Sequence, residues 1–165
     1  MNMLRVLPAN EIGREFKAAV NDSVLEQAKV IVDRVRDSGE SAIREYASRF
    51  DERNADEPLV VGRDAMRAAF DTLSSEDQGV LIRTAQRIEV FACAQRDAIQ
   101  PMTANIPGGE TGHTIEPVSS AGCYAPAGRY PLPSSVLMTA ITARVAGCKR
   151  VVVASPGEDR FMLAA

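Results

Sequence analysis

Residues 122–136 read GCYAPAGRYPLPSSV and run directly into the apolar stretch Leu137 to Val145. Glycine and proline punctuate the first half, and Ser134 and Ser135 can cap a helix that reaches Gly147. Val136, Leu137, Ala140, Ile141, Ala143 and Val145 are available for burial along it. Upstream, Ser120 to Ala125 is β-prone; downstream, RVVVAS (Arg150 to Ser155) is a continuous apolar strand. A run of this kind is expected to be buried on both faces of a parallel sheet. Strand, helix and strand in that order predict a βαβ unit, and this decides the fold class.

The same stretch carries no nucleotide fingerprint of its own. Gly122 and Gly128 are six apart, so G-x-G-x-x-G is absent, and so is G-x-x-x-x-G-K-[ST]. A strand end, a stiffened loop and a helix start with free N–H groups bind anions readily, but every βα junction has that geometry. A phosphate cradle, a structural corner and one half of a larger site all remain open at this point.

The first two-thirds of the chain reads as helices. Asn10 can cap a segment carrying Ile12, Phe16, Ala19 and Val20. Asn21 or Asp22 starts a second, with Val24, Leu25, Ala28, Ile31, Val32 and Val35 at helical spacing and Gly39 as its stop. Ala42, Ile43, Tyr46, Ala47 and Phe50 continue the period, and DERNADEP breaks it as a loop. Leu59 to Val61 is a short strand candidate, followed by a helix through Met66, Ala69, Phe70 and Leu73. Ser75 with Gln78 makes a capping box, with Glu76 and Asp77 where the helix dipole favours acids. Leu81, Ala85, Ile88, Phe91 and Ala92 form the expected buried stripe, and Pro101 closes the helix. Turn formers then surround a β-prone piece at roughly Thr111 to Glu116. At the far end, Pro156 to Asp159 reads as a helix start and FMLAA as its first apolar surface; a helix so short is marginal without a partner. The chain is expected to break off inside a domain.

Composition narrows the function classes. With 45% hydrophobic and 25% charged residues over 165 positions, the chain is ordinary globular material of about one domain. A net charge of -3 supplies no excess of cations for a nucleic-acid surface. No apolar run reaches the roughly 18 residues a membrane span needs. Three widely spaced cysteines, Cys93, Cys123 and Cys148, form neither a disulfide framework nor a zinc knuckle, which fits a reducing cytoplasm.

The chemical candidates are few. His113 is the single histidine, with no Cys or His at ligand spacing, and reads as an exposed loop or strand residue. Cys93 and Cys148 read as core. Cys123 lies beside Tyr124 without an accompanying base, so nucleophilic catalysis has little support. The acid pairs Asp51–Glu52 and Asp56–Glu57 read as solvation of a polar loop. No complete catalytic set and no metal set is expected within the chain.

The segment AGCYAPAGRYPLPSSVLMTAITARVAGCKRVVVASP, Ala121 to Pro156, resembles the central segment of the histidinol dehydrogenases. That family shows a Tyr-x-Pro-Gly-Gly loop, a Tyr-Pro-Ser-Ser-Val-Leu-Met helix start and an Ala-x-Val-Ala-Gly-Cys turn into a buried strand. RIEVFACAQ, Arg87 to Gln95, is similar to the family's long helix. The resemblance covers essentially the whole chain but only the N-terminal portion of the family's longer one. It implies α/β architecture: a helical N-terminal region followed by the start of an incomplete Rossmann-like parallel sheet. Residues 1–118 would hold the helical region, a short strand and the start of a first α/β domain, and residues 119–165 the beginning of a second, βαβ domain.

The resemblance further implies a zinc-dependent, NAD-linked homodimer that oxidises an amino alcohol through the aldehyde to the acid, the last steps of histidine biosynthesis. The family's zinc ligands and Glu–His pair fall beyond this sequence. One functional position carries over: Tyr124 matches the loop tyrosine that contacts NAD, with Pro126 and Gly128 shaping the loop. Ala127 stands in place of the usual first glycine and Thr142 where proline is common. If position 127 needs φ > 0, alanine there costs on the order of 1 kcal/mol. GCY, GRY and ITARVAG are also similar to paralogues that oxidise other polar alcohols, such as sulfonate diols. The chain alone is expected to be inactive. A non-catalytic α/β assembly module and a free-standing nucleotide binder stand as the alternatives.

Overall fold

The computed structural model describes residues 21–51, 53–54, 56–126, 130–156 and 159–165. The segment from Asn10 to Val20 and the loop positions Ala127 and Gly128 lie outside them, together with the expectations placed there. The chain divides into two compact units, Met1–Leu59 and Val60–Ala165.

In the first unit, α1 (Asp22–Ser38) is capped by Asn21, whose side chain accepts from the Ser23 N–H at 3.1 Å. Gly39 ends the helix as expected, at φ 57, a left-handed value that a Cβ disfavours, and its N–H donates to the Val35 carbonyl. α2 (Glu40–Asp51) follows at once and packs on α1, with Ala42 fully buried. The apolar stripe of α1 is less buried than its periodicity suggests, because Val24, Leu25 and Val32 are all more than half exposed. Periodicity makes a helix amphipathic; burial needs a partner for the whole face, and the described partner of α1 in this unit is α2.

The second unit begins with α3 (Arg63–Asp71) and the long α4 (Ser75–Asp97). Leu59 to Val61 form no strand; Val60 is 77% exposed, and three apolar residues without a pairing partner have no ladder to join. The cap of α4 is Ser74, one residue before the expected Ser75: its hydroxyl accepts from the Asp77 N–H at 3.1 Å and donates to the Asp77 carboxylate. Gln78 instead turns back to the Phe70 and Leu73 carbonyls, tying α4 to the end of α3. Leu81, Ala85, Ile88 and Ala92 line the inner row, whereas Phe91 is rotated off it and 66% exposed.

After Pro101 the chain forms an antiparallel hairpin of β1 (Met102–Ile106) and β2 (Gly109–His113), turning at Pro107 and Gly108. The β-prone piece anticipated near Thr111 is therefore the return strand, and its mate was hidden among polar and turn-forming residues. β3 (Ser120–Tyr124), α5 (Pro133–Val145) and β4 (Arg150–Ala154) then make the expected parallel βαβ unit, with Cys123 opposite Val153 and Tyr124 opposite Ala154. The start of α5 differs in detail. Pro133 occupies the first turn and Leu132 is the cap residue, with no side chain bonding to the helix end. β4 alternates between half-buried Val151 and Val153 and exposed residues, so it is covered on one face rather than both. A sheet of two strands with α5 on one side can cover no more.

Two adjoining apolar clusters hold this unit together. Leu73, Leu81 and Leu137 pack with Phe70, Ile88, Ile141 and Phe161; Ala125, Val136 and Met162 pack with Val153 and Ala165. Burying each large side chain contributes about 1.5–3 kcal/mol. α6 (Arg160–Ala164) joins both clusters, its Asp159 cap accepting from the Phe161 and Met162 N–H groups. That packing supplies the partner that so short a helix requires.

Candidate functional site

Alternation along β3 separates its side chains by face. Ala121 and Cys123 turn inward, Cys123 being buried, while Tyr124 turns outward at the strand's C-terminal end and is 64% exposed. The backbone beneath the tyrosine is fixed by the Ala125 N–H, which donates to the Ala154 carbonyl at 2.9 Å, extending the ladder past the last paired residues. Ala125 itself is fully buried against Val136 in the first turn of α5 and Met162 of α6. An exposed aromatic ring thus stands on a rigid corner where β3, α5 and α6 meet. The Leu132 N–H donates to the Met162 Sδ at 3.1 Å, closing the far side of the loop.

Ser155 follows β4 at the same end of the sheet. Its Oγ is buried and has no hydrogen-bond partner. A buried hydroxyl without a partner is uncommon and calls for an explanation in ligand, water or strain. The sequence offered no signal for it beyond a small polar residue at a strand end.

The other candidates do not gather at this corner. His113 lies on β2, exposed as anticipated, with its Nε2–H donating to the Gln100 carbonyl at 2.9 Å. Cys93 is half-buried on α4, Cys148 is buried ahead of β4, and all three cysteines are free thiols. Asp51 ends α2, Asp56 lies in the turn beyond it, and Glu57 is engaged by Asn54 and Arg53. Among the described residues no three of His, Cys, Asp and Glu converge into a group that could hold a metal ion. No helix among them is long and apolar enough to cross a membrane.

A sequence model of the family described as histidinol dehydrogenase matches residues 15–164. The chain belongs to the histidinol dehydrogenase family. Curated histidinol dehydrogenases are similar to it: that of Methanopyrus kandleri is 37% identical over 82% of this chain and 32% of its own length. That of Yersinia pestis is 34% identical over 90% of this chain and 31% of its own. A protein named histidinol dehydrogenase homolog 1, from Mesorhizobium japonicum, is 33% identical over 82% of the chain and 27% of its own. The crystal structure of the histidinol dehydrogenase from Elizabethkingia anophelis superposes with a TM-score of 0.77 over 94% of this chain and 36% of that one, at 24% identity, which establishes the shared fold. The chain spans about a third of the length of the curated histidinol dehydrogenases it matches. Membership makes it part of an oxidoreductase family.

Proposed function

We propose that this chain supplies the cofactor-side corner of a zinc-dependent, NAD-linked histidinol dehydrogenase, with Tyr124 packing on the nucleotide. The observation that carries the reading is the exposed Tyr124 ring on a backbone pinned at Ala125. Ligands of open α/β sheets bind beyond the carboxyl ends of the strands, where this ring stands. An aromatic face held rigidly there loses little freedom on binding a planar base. The uncapped first turn of α5 favours a phosphate group. Residues 119–165 are then the beginning of the nucleotide-binding domain, after a first region ending near residue 118.

NAD, when bound, supplies the hydride acceptor. This chain's own residues bind and orient it, while the proton and metal chemistry belongs to residues elsewhere in the family's longer chain. The described residues offer no donor set that fits zinc. The free cysteines fit a reducing cytoplasm, and the family resemblance supports a homodimer acting on an amino alcohol. One relative is named a homolog rather than the enzyme, which favours as a second reading a paralogue oxidising another polar alcohol, such as a sulfonate diol.

The test is calorimetric titration of the chain with NAD, beside Tyr124→Ala and turnover assays. Saturable binding that weakens about tenfold in Tyr124→Ala is expected, since stacking on an aromatic ring is worth roughly 1–3 kcal/mol per base. Equal binding by both proteins would remove Tyr124 from the site. Oxidation of histidinol by the 165-residue chain alone would overturn the division of labour. Full-length enzyme that turns over a sulfonate diol but not histidinol would favour the paralogue.

A further inference from the structure

Arg63, Arg144, Lys149 and Arg150 line one cavity of about 380 Å³ in the second unit, completed by Cys148 and Val151. Three elements converge to make it: the start of α3, the last turn of α5 and the entry to β4. The turn at Gly147 sets the last of these. At φ 99, and with a Cβ there falling 3.0 Å from Pro117, it admits no side chain without strain, and it leads directly into Cys148, Lys149 and Arg150. All four cationic residues are exposed, and among the described residues none makes an ion pair. Among the described residues no carboxylate lines the cavity; Asp64, next to Arg63, is not part of its wall.

Such a grouping runs against the balance of the chain, whose net charge is -3. Like charges brought together without counter-charges repel one another, and an anion seated among them removes that repulsion. Asp64 in the first turn of the nine-residue α3 offsets the positive end of that helix, so the field at the cavity rests on the four cationic side chains. The volume is that of a small-molecule pocket rather than of a single ion.

We propose that this cavity is a binding site for a small phosphoryl-bearing anion, of the diphosphate class. Three guanidinium forks and one ammonium can all donate to phosphoryl oxygens, and a diphosphate, with high charge on two adjacent tetrahedral groups, can accept from several of them at once. The site is separate from the Tyr124 corner. Arg150 opens β4 and Ala154 closes it, and a five-residue strand is roughly 13 Å long between its end residues. The proposal therefore stands whether or not Tyr124 binds NAD.

The experiment is calorimetric titration of the 165-residue chain with inorganic pyrophosphate and, at matched ionic strength, with citrate. Saturable pyrophosphate binding is expected, clearly tighter than that of citrate, and weakened about tenfold by the pair Arg63→Gln and Arg144→Gln. The charge-matched pair Arg83→Gln and Arg87→Gln on α4 should leave it within about twofold, the level expected of distant, independent sites. Circular dichroism checks folding; should the first pair prove unstable, Lys149→Gln must still weaken binding. No saturable heat at millimolar pyrophosphate, equal binding of citrate, or equal loss in the α4 pair would each overturn the assignment.

Discussion

Leu132 and Met162 are joined by a hydrogen bond from the Leu132 N–H to the Met162 Sδ, 3.1 Å long, across the loop that leads into α5. Met162 is buried between Ala125 and Val136, so one side chain of α6 both fills the cluster beneath the Tyr124 corner and holds the loop beside it. The last helix is thus a structural support for the candidate site rather than an appendage.

Met162→Ala should lower stability by about 2–5 kcal/mol in urea denaturation, the range for emptying a buried methionine site. Met162→Leu keeps the volume and loses the sulfur acceptor, so its cost should stay below about 1.5 kcal/mol. Equal losses from both would show that volume is not what the site requires.

The Ser74 cap gives a positional test. Ser74→Ala should cost about 1 kcal/mol, whereas Ser75→Ala, one residue into α4, should change stability by no more than about 0.5 kcal/mol. Thermal unfolding of the two variants side by side distinguishes the observed cap from the one the sequence suggested.

Gly147→Ala combines a left-handed backbone with a Cβ placed 3.0 Å from Pro117. A loss of about 1–2 kcal/mol from the backbone alone is expected, and more if Pro117 cannot yield. Denaturant midpoints measure it.

Ser155→Ala removes a buried hydroxyl that has no partner. Stability of the free chain should be unchanged or rise by up to about 1 kcal/mol, since an unpaired polar group is a desolvation cost rather than a support. Urea denaturation of the variant beside the parent chain measures it.

Two half-exposed carboxylates set an acid limb for the first unit. The Asp33 carboxyl is held below the ordinary aspartate range by its hydrogen bond from Lys29, with the charges of Lys29 and Arg36 adding to it. Glu57 is lowered by hydrogen bonds from Asn54 and by Arg53. A lowered folded-state pKa means stability that is present above about pH 4–5 and lost as pH falls through the lowered values. Asp33→Asn should flatten that part of the acid unfolding curve, and NMR titration of the two carboxyls reads the direction directly.

The local rules were legible where one residue type forces one backbone state. Gly39 ends α1, Asn21 begins it, and the turn at Gly147 follows α5 as its spacing indicated. The β1–β2 hairpin was not legible, because MTANI and GETGH carry little β-branched alternation and their pairing is an interaction between segments. The Ser74 cap was missed by one residue because Ser74 and Ser75 are chemically alike, and only the Asp77 N–H distinguishes them.

Sequence alone determined the strand–helix–strand order around Tyr124 and the family resemblance, since both depend on residue order and spacing along the chain. Tertiary structure decided that β4 is covered on one face, that Ser155 lacks a partner, and that Met162 underpins the corner. It also brought four cations from three elements around one cavity. Burial, orphaned hydrogen-bonding groups and charge clustering depend on distances between segments remote in sequence, and only the packed chain sets those distances.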